Sequence, residues 1–195
     1  MALGMAPAPY ELRFDSGRSC LDLMATNHPV ERLDSVAALR AWLTGAGLVP
    51  RDARLAGADP QWPAAFRELR GRTAELVGGE LDRLPVSGAL ERVNALAAAA
   101  PPAPYAVRAA DGTLVRALRD EPGCAALVAA VARDAVDLLT DPAARALLRR
   151  CEGDNCPLVY LDTSRGHRRR WCSSEVCGNR ERVARHRRRA ALARP

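Results

Sequence analysis

The chain has 195 residues, a formal net charge of +6, and an apolar content of 48%. This length suits one ordinary domain with a small appendage, and the apolar content is sufficient to build a core. The sequence contains no apolar run of about 18 residues and no basic start followed by an apolar stretch, which excludes a membrane-spanning helix and a signal peptide from our expectations. We therefore expect a cytoplasmic protein, in which structural disulfides are rare.

In chain order, the segment from Tyr10 to Thr26 mixes apolar and polar residues and predicts one or two short strands. Asp34 or Ser35 can cap a helix that continues to about Ala46. That helix would place three apolar side chains on its inner face, namely Leu39, Trp42 and Leu43.

Two further helices are predicted in the middle of the chain. One begins after Pro63, carries apolar residues at helical spacing, and breaks or ends at Gly78-Gly79. The other is capped by Ser87, continues to about Ala99 and stops before Pro101-Pro102.

The periodicity then changes from helical to alternating. Residues 106–118 alternate on both sides of Asp111-Gly112, a turn dipeptide, and this pattern predicts a β-hairpin. Pro122 opens a helix with a broad apolar stripe, and Asp141-Pro142 starts a short helix that is expected to lead directly into Cys151.

The positive charge is concentrated at the end of the chain. Residues 149–195 contain 13 arginines and 5 acidic residues, a net charge of +8, whereas residues 1–148 contain 16 arginines and 18 acidic residues, a net charge of −2. No lysine occurs, so the number of arginines says little about function and their distribution says more. We therefore expect a boundary near Arg149, with almost no linker, between an N-terminal domain of residues 1–148 and a C-terminal module of residues 149–195.

Four cysteines of the C-terminal module form two pairs of matched spacing. Four residues separate Cys151 from Cys156 and Cys172 from Cys177, and fifteen residues lie between the pairs. This pattern predicts one structural Zn²⁺ per chain, because four thiolates close a tetrahedral site and leave no open position for catalysis. Two disulfides, four free thiols and an iron–sulfur cluster are the alternatives, and the expected compartment disfavours the disulfides.

The remaining metal-binding residue types are expected to play no part in the site. His167 and His186 could act as ligands, but with four cysteines available we expect both on the surface. Cys20 and Cys124 lie in apolar stretches and are expected to be buried free thiols. Four thiolates and one Zn²⁺ together contribute two negative charges, so the loaded module remains strongly basic.

The segments around the cysteines predict a treble-clef-like module. The glycine and the Asp/Asn residues between Cys151 and Cys156 permit a tight turn. Residues 157–162 and 168–171 predict the two strands of a hairpin, and Ser173 or Ser174 can cap a helix that begins near Cys177. The expected fold class is α+β, with a mostly helical N-terminal domain that contains small β elements, followed by a treble-clef-like zinc finger.

Arginines of the module are candidate contacts for phosphate groups. On a helix from Ser174 to Leu192, Val176, Val183 and Ala190 recur at seven-residue steps and are expected to face the hairpin. The candidate nucleic-acid contacts are a ridge of Arg182, Arg185 and Arg189 on the opposite side, with Arg180 in the first turn and Arg165, Arg168, Arg169 and Arg170 in the hairpin. The alternatives are a solvated basic face and compensation for the charge of the thiolate cage.

Several short motifs resemble a bacterial family. Asp-Thr-Ser-Arg at 162–165, Arg-Arg-Trp-Cys at 169–172 and Cys-Gly-Asn-Arg at 177–180 resemble the CGNR-type zinc finger, which is named for the last of them. Residues 20–27 and 39–48 resemble the ABATE domain, which usually precedes this finger in proteins described as stress-induced transcription regulators. The resemblance implies that the finger binds DNA and that the N-terminal domain senses a ligand.

The charge pattern and the resemblance together favour a zinc-dependent DNA-binding transcription regulator. The N-terminal domain would serve as a sensor of a small molecule or as an oligomerisation platform, including a homodimer. An RNA-binding protein and a zinc-finger module that docks an acidic protein are the alternatives. No nucleophile–base pair is evident, and His28 is the only histidine in residues 1–148, so we do not expect an enzyme.

Two residues of the CGNR tetrapeptide have open roles. We expect Asn179 to hydrogen-bond the backbone of the cysteine turn, with a base contact as the alternative. Arg180 lies one turn after Cys177, where it could bridge a zinc-bound sulfur or Asp162, or reach a phosphate.

Overall fold

A computed structural model of the protein describes residues 12–192, without the side chains of Ala190 and Leu192. The helices span Ser19–Met24 (α1), Val36–Gly45 (α2), Gln61–Asp82 (α3), Ser87–Ala97 (α4), Cys124–Thr140 (α5), Pro142–Arg145 (α6) and Cys177–Leu192 (α7), with a 3-10 turn at Ala25–Asn27. The strands span Pro104–Arg108 (β1), Leu114–Leu118 (β2), Leu148–Arg150 (β3) and Val159–Leu161 (β4). These elements confirm the predicted α+β class.

The main core lies between α1, α2, α3 and α5. Trp42 of α2 and Phe66 of α3 are fully buried, and their rings meet edge to face with centroids 5.8 Å apart. The stripe predicted on α5 is buried as well, including Leu127, Val131 and Leu138. Because each fully buried leucine or valine contributes about 1.5–3 kcal/mol, this apolar interior is the main source of stability.

Two locally encoded elements form as predicted. The Ser35 hydroxyl accepts a hydrogen bond from the backbone N–H of Ala38 at 3.2 Å and caps α2. Strands β1 and β2 pair in antiparallel fashion, and Gly112 in the connecting turn has a φ of +84°. Among the described residues, no helix has the length and apolar content needed to cross a bilayer.

The strands predicted from Tyr10 to Thr26 are wrong for the described part of that segment, which forms α1 and the 3-10 turn. Tyr10 lies outside the described residues. The helix is stabilised from another element, since the Asp134 carboxylate of α5 accepts hydrogen bonds from the Cys20 N–H at 2.8 Å and the Ser19 hydroxyl at 3.0 Å. The residues near α1 could not predict this helix start, because the carboxylate that caps it belongs to Asp134 on a distant helix.

Helix α3 continues through Gly78-Gly79, where the sequence predicted a break or an end. A Cβ atom at Gly79 would lie 2.6 Å from the Leu84 carbonyl oxygen, so the glycine permits close approach of the segment that follows the helix. The helix ends instead at Arg83, which adopts a left-handed conformation with a φ of 58°.

Strand β3, rather than a helix, leads into Cys151, because the short helix after Asp141 ends at Arg145. Strands β3 and β4 pair in antiparallel fashion, with Leu148 opposite Leu161. The side chains of Leu148, Val159 and Leu161 all belong to the main core. The boundary predicted near Arg149 therefore falls within a strand that packs on both parts of the chain.

The second half of the finger also differs from the predicted hairpin. Residues 168–171 form no strand, and β4 pairs with β3 instead. Side chains hold the returning segment, since the Asp162 carboxylate accepts a hydrogen bond from the Arg169 N–H at 3.0 Å and the Tyr160 hydroxyl donates to the Arg169 carbonyl at 2.5 Å. These side-chain contacts, together with a backbone hydrogen bond from the Glu152 N–H to the Arg170 carbonyl at 2.9 Å, replace the ladder that the alternating pattern predicted.

Candidate metal centre and basic surface

Four cysteine side chains converge at the junction of β3, the loop after it, and α7. Their Sγ atoms all lie within 4.8 Å of one another. Cys156 Sγ is 3.7 Å from Cys172 Sγ, which in turn is 3.6 Å from Cys177 Sγ. A tetrahedral site with Zn–S bonds of about 2.3 Å has S···S edges of about 3.8 Å, so the donor set fits a four-thiolate zinc site.

Backbone geometry directs the first cysteine pair toward the cluster. The loop closes through a hydrogen bond from the Cys156 N–H to the Gly153 carbonyl at 3.1 Å. Asn155 adopts a left-handed φ of 58° in this turn. A Cβ atom at Gly153 would lie 3.1 Å from Cys177 Cβ and 3.4 Å from Cys151 Sγ, so the glycine permits this close approach without a shift of its neighbours.

The second pair is directed by the start of α7. The Ser173 hydroxyl accepts hydrogen bonds from the N–H groups of Glu175 and Val176, each at 3.2 Å. The Ser173 carbonyl also accepts a hydrogen bond from the Gly178 N–H at 2.9 Å. The Ser173 side chain therefore satisfies backbone N–H groups of the turn before α7, and Cys177 is the first residue of the helix, as predicted.

The pKa shifts of the thiols in the cluster differ in direction. Burial raises the pKa of the Cys156 thiol to about 11 and also raises the pKa of Cys177. Cys151 is buried too, but its pKa lies below the ordinary value because the N–H groups of Cys172 and Gly153 donate to its Sγ at 3.3 and 3.4 Å. Coordination to Zn²⁺ deprotonates thiols, so metal binding would overcome the effect of burial.

The other candidate ligands lie elsewhere. His167 is exposed, and its Nδ1 atom lies 2.9 Å from the Asp162 carbonyl oxygen. His186 is exposed on α7. Cys20 is fully buried and Cys124 is partly buried, both as free thiols. Within the described residues, the metal-binding cluster therefore contains only the four predicted cysteines.

Two of the candidate arginines are engaged inside the finger. The Arg169 guanidinium lies 4.4 Å from the centre of the Tyr160 ring and donates to the Trp171 carbonyl at 2.8 Å. Arg170 forms an ion pair with Glu152 at 2.6 Å and lies over the Trp171 ring. These contacts hold the returning segment against the rest of the finger.

The other candidate arginines point into solvent. Within residues 12–192, most of their side chains form no hydrogen bond or ion pair, while Arg182 donates only to the Ser174 carbonyl at 3.3 Å. The exposed arginines are Arg165, Arg168, Arg180, Arg182, Arg185 and Arg189.

The predicted apolar stripe on α7 is wrong. Val176 and Val183 are 49% and 43% exposed, and the side chain of Ala190 lies outside the described part of the chain. Cys177 sets the inward face, because its Sγ joins the cluster, and Glu181 and Ala184 one and two turns later share that face and are partly buried.

Within residues 12–192, neither Asn179 nor Arg180 of the CGNR tetrapeptide makes the contact with the finger that was considered for it. Asn179 is exposed and makes no hydrogen bond to the cysteine turn. Arg180 makes none to a cysteine sulfur or to Asp162, whose carboxylate instead binds Ser164 and the Arg169 N–H. Burial and then the positive charge of Arg180 lower the pKa of His28.

Two further residues contribute to the metal centre from outside the finger. Arg13 Nη1 lies 3.2 Å from Cys172 Sγ, across a separation of 159 residues. Ala25 is only 3% exposed and packs in a small cluster with Leu158, Tyr160 and three of the cysteines. Both residues come from the N-terminal domain, and no local pattern in the sequence indicates either contact.

Family comparisons agree with this division of the chain. The ABATE family model, described as "Putative stress-induced transcription regulator", matches residues 17–142, and the CGNR zinc finger model matches residues 147–190. The chain belongs to the ABATE family and carries a CGNR zinc finger after the ABATE domain, which confirms the resemblance found in the sequence. A search of curated proteins gave no match.

Proposed function

We propose that the protein is a cytoplasmic, zinc-dependent DNA-binding transcription regulator rather than an enzyme, and that its finger binds the phosphate backbone of DNA. The observation that carries this proposal is the surface of α7. Between Cys177 and Leu192 the helix has six arginines, all exposed, and one acidic residue, Glu181. Arginine forks pair bidentately with phosphate oxygens, and each contact releases condensed counterions from DNA.

The pattern of ion pairs supports the proposal. Among the described residues, seven of eight ion pairs use an arginine between Arg13 and Arg150, and only Arg170 pairs with an acid later in the chain. At least six of the sixteen arginines of the N-terminal domain thus form ion pairs with acids, whereas no arginine of α7 forms one within the described residues. A polyanion is the partner whose charge complements this surface.

Binding measurements with the full zinc-loaded chain test the proposal. We expect random duplex DNA to bind with an affinity that falls steeply with salt, and a selection of genomic fragments to reveal a preferred site. Tighter binding to a structured RNA of equal length would favour the RNA-binding alternative. Absence of binding to both polymers at low salt would overturn the proposal and favour docking to an acidic protein.

The N-terminal domain is proposed to sense a small molecule at a cleft beside α1. This cleft has a volume of about 430 Å³ and combines a proline-rich wall with charged groups of both signs. Its polar lining comprises Ser19, Arg116, Arg133, Asp134 and Asp137. Asp134 also holds the start of α1, so a ligand in the cleft would act on a helix that leads to Ala25, which packs against the cysteines of the finger.

A thermal-shift screen of the full chain tests the sensing role, because a ligand that binds the folded state raises its stability by mass action. A ligand of this cleft should lose its effect in the Asp137→Asn variant. A chain that shows no shift with any compound but is a stable homodimer by light scattering would instead support an oligomerisation platform.

A further inference from the structure

The segment before α1 reaches the metal centre through one side chain. Arg13 precedes both family-matched ranges, and it touches the last quarter of the chain at Cys172. Its Nη1 atom lies 3.2 Å from Cys172 Sγ and its Nη2 atom 2.9 Å from the Cys172 carbonyl oxygen. The Arg13 side chain is only 17% exposed, so water competes weakly for these contacts.

Asp15 holds the guanidinium of Arg13 from the other side. Arg13 Nε and Nη2 donate to Asp15 Oδ1 at 3.1 and 2.9 Å. A guanidinium is rigid and planar, so fixing one edge also fixes the direction of the remaining N–H groups. The Nη1 donor is therefore directed at the sulfur.

Cys172 Sγ accepts hydrogen bonds from fewer N–H groups than Cys151 Sγ does. Cys151 Sγ accepts two backbone N–H groups, from Gly153 and Cys172 itself. Within residues 12–192, Arg13 provides the only N–H group that donates to Cys172 Sγ, and Cys172 is 2% exposed. A zinc cage of four thiolates carries a net charge of −2, and a buried sulfur of such a cage is stabilised by hydrogen-bond donors and by positive charge.

Backbone contacts fix the segment that carries Arg13. The Ser16 carbonyl accepts a hydrogen bond from the Leu161 N–H at 2.9 Å, and the Ser16 N–H donates to the Asp22 carboxylate at 3.0 Å. The segment is thus held both to β4 of the finger and to α1. Arg13 is a fixed part of the site and not a loose surface side chain.

We propose that Arg13 is a positioning residue of the metal centre, a donor from the N-terminal domain that holds the Cys172 thiolate in its metal-binding position. The inference rests on the proposed binding of zinc. It assigns to the N-terminal domain a direct part in how firmly the finger retains its metal.

Zinc release from the full chain tests the inference. The zinc-loaded parent, Arg13→Gln and Arg13→Lys are mixed with a chromophoric chelator, and the release rate is followed. Arg13→Gln should release zinc at least about tenfold faster than the parent, the lower end of the effect of losing a partner of a metal ligand. Arg13→Lys, which keeps the charge but cannot bridge sulfur and carbonyl with a planar fork, should lie between them.

Arg18→Gln is the matched control. Arg18 lies five residues away and forms a comparable ion pair, with Asp134 at 2.7 Å, and its side-chain hydrogen bonds go to Asp134 and not to a cysteine of the cluster. This variant should release zinc at the parent rate. An equal acceleration in Arg18→Gln would assign the effect to general loosening of the N-terminal domain and would overturn the specific role of Arg13.

Cobalt substitution supplies a readout that general destabilisation does not move. Removal of a hydrogen bond to a thiolate raises the energy of the sulfur lone pairs, so the thiolate-to-Co²⁺ charge-transfer band of Arg13→Gln should shift to lower energy. The control should keep the parent spectrum. If Arg13→Gln does not fold, the same shift, smaller in size, is expected in Arg13→Lys.

The outcomes separate this inference from zinc binding itself. Elemental analysis of the reduced parent comes first, and a parent that binds no zinc or cobalt would refute both proposals. A zinc-loaded parent whose release rate and cobalt spectrum are unchanged in both Arg13 variants would refute the role of Arg13 alone.

Discussion

The backbone N–H of Leu161 donates a hydrogen bond to the carbonyl oxygen of Ser16, 2.9 Å away, and joins β4 of the finger to the segment before α1. The two segments touch closely here, because a Cβ atom at Gly17 would lie 3.1 Å from Leu161 Cβ. Gly17 also has a φ of +94°, a conformation that favours glycine. The finger therefore shares hydrogen bonds and packing with the N-terminal domain.

Removal of the metal should consequently destabilise the whole chain and not only residues 149–195. The structural reason is that Leu148, Val159 and Leu161 belong to the main core, so loss of the finger fold exposes part of that core. We expect about one zinc per chain by elemental analysis and a thermal midpoint several degrees lower after chelation. An unchanged transition of the N-terminal helices after complete chelation would contradict this expectation.

Local sequence signals predicted much of the fold. Ser35 caps α2, Asp111-Gly112 forms a hairpin turn, and the matched cysteine pairs form one cluster. Each of these features depends on residues close in sequence, or on a spacing whose chemistry allows few other outcomes. These three features could therefore be predicted from short segments of the sequence and from the spacing of the cysteines.

Contacts between distant segments account for what the sequence did not predict. Residues 157–162 alternate as a strand should, but the strand partner is β3 and not residues 168–171. Arg13 reaches Cys172 across 159 residues, and Ala25 enters the small core of the finger. The seven-residue step of Val176 and Val183 misled because the cysteine ligand, not an apolar stripe, decides which face of α7 points inward.

Replacement of Gly153 by alanine should weaken metal binding. The added Cβ would lie 3.1 Å from Cys177 Cβ and 3.3 Å from Cys177 Sγ, so Cys177 would have to shift by a few tenths of an ångström. We expect a loss of zinc affinity of about tenfold or more, measured by competition with a chelator of known affinity. Gly166→Ala is the control, because a Cβ there meets nothing closer than 3.9 Å. Equal affinities of the two variants would show that the loop after Cys151 can relax without cost.

Replacement of Asp22 by asparagine should raise stability above about pH 6. Asp22 is 7% exposed, and burial raises the pKa of its carboxyl group from 3.8 to about 6 in spite of the hydrogen bond from the Ser16 N–H. The folded state therefore holds this proton more tightly than the unfolded state, and the parent loses stability as the pH rises from about 4 to about 6. The loss should be on the order of 3 kcal/mol, since each pKa unit corresponds to about 1.4 kcal/mol.

Urea unfolding at several pH values measures this difference. The side-chain amide of the Asp22→Asn variant keeps an oxygen acceptor for the Ser16 N–H, so the stability gap between variant and parent should grow from pH 4 to pH 6 and then level off. The pH dependence of the metal centre is common to both proteins and cancels in the gap. A gap that is constant with pH would show that the Asp22 pKa is not raised.

Glu31 should affect the pH dependence of stability in the opposite direction from Asp22. Its carboxylate accepts hydrogen bonds from Arg70 Nη1 at 2.8 Å and from Nη2, and these contacts lower the pKa of Glu31 to about 2. The stabilisation is present above about pH 4.5 and is lost as the pH falls through the folded-state pKa. Glu31→Gln should therefore be less stable than the parent at neutral pH, and the two should converge in acid. A stability difference between the two proteins that grows as the pH falls would contradict this expectation.

The arginine ridge of α7 should dominate affinity for nucleic acid. Neutralising phosphates releases counterions, and each contact with B-DNA contributes about 0.9 to the slope of log affinity against log salt concentration. If all three ridge residues contact phosphates, replacing them together with glutamine should make that slope shallower by about 2.7. The substitutions are Arg182→Gln, Arg185→Gln and Arg189→Gln. Binding is measured by fluorescence anisotropy at several salt concentrations, on the selected site and on random duplex.

A second triple variant separates contact from net charge. Three exposed arginines of the N-terminal domain form no ion pair within the described chain, and their replacement changes the net charge by the same amount; they are Arg51, Arg54 and Arg67. This control should bind with nearly the parent slope, because charges beyond the Debye length of about 8 Å contribute little at physiological salt.

A similar loss of affinity for selected and random DNA in the ridge variant would identify the ridge arginines as positioning contacts, and a loss of affinity confined to the selected site would identify them as base-reading residues. A ridge variant with the parent slope would mean that the ridge is a solvated face, and the binding surface would then be sought at Arg165 and Arg168.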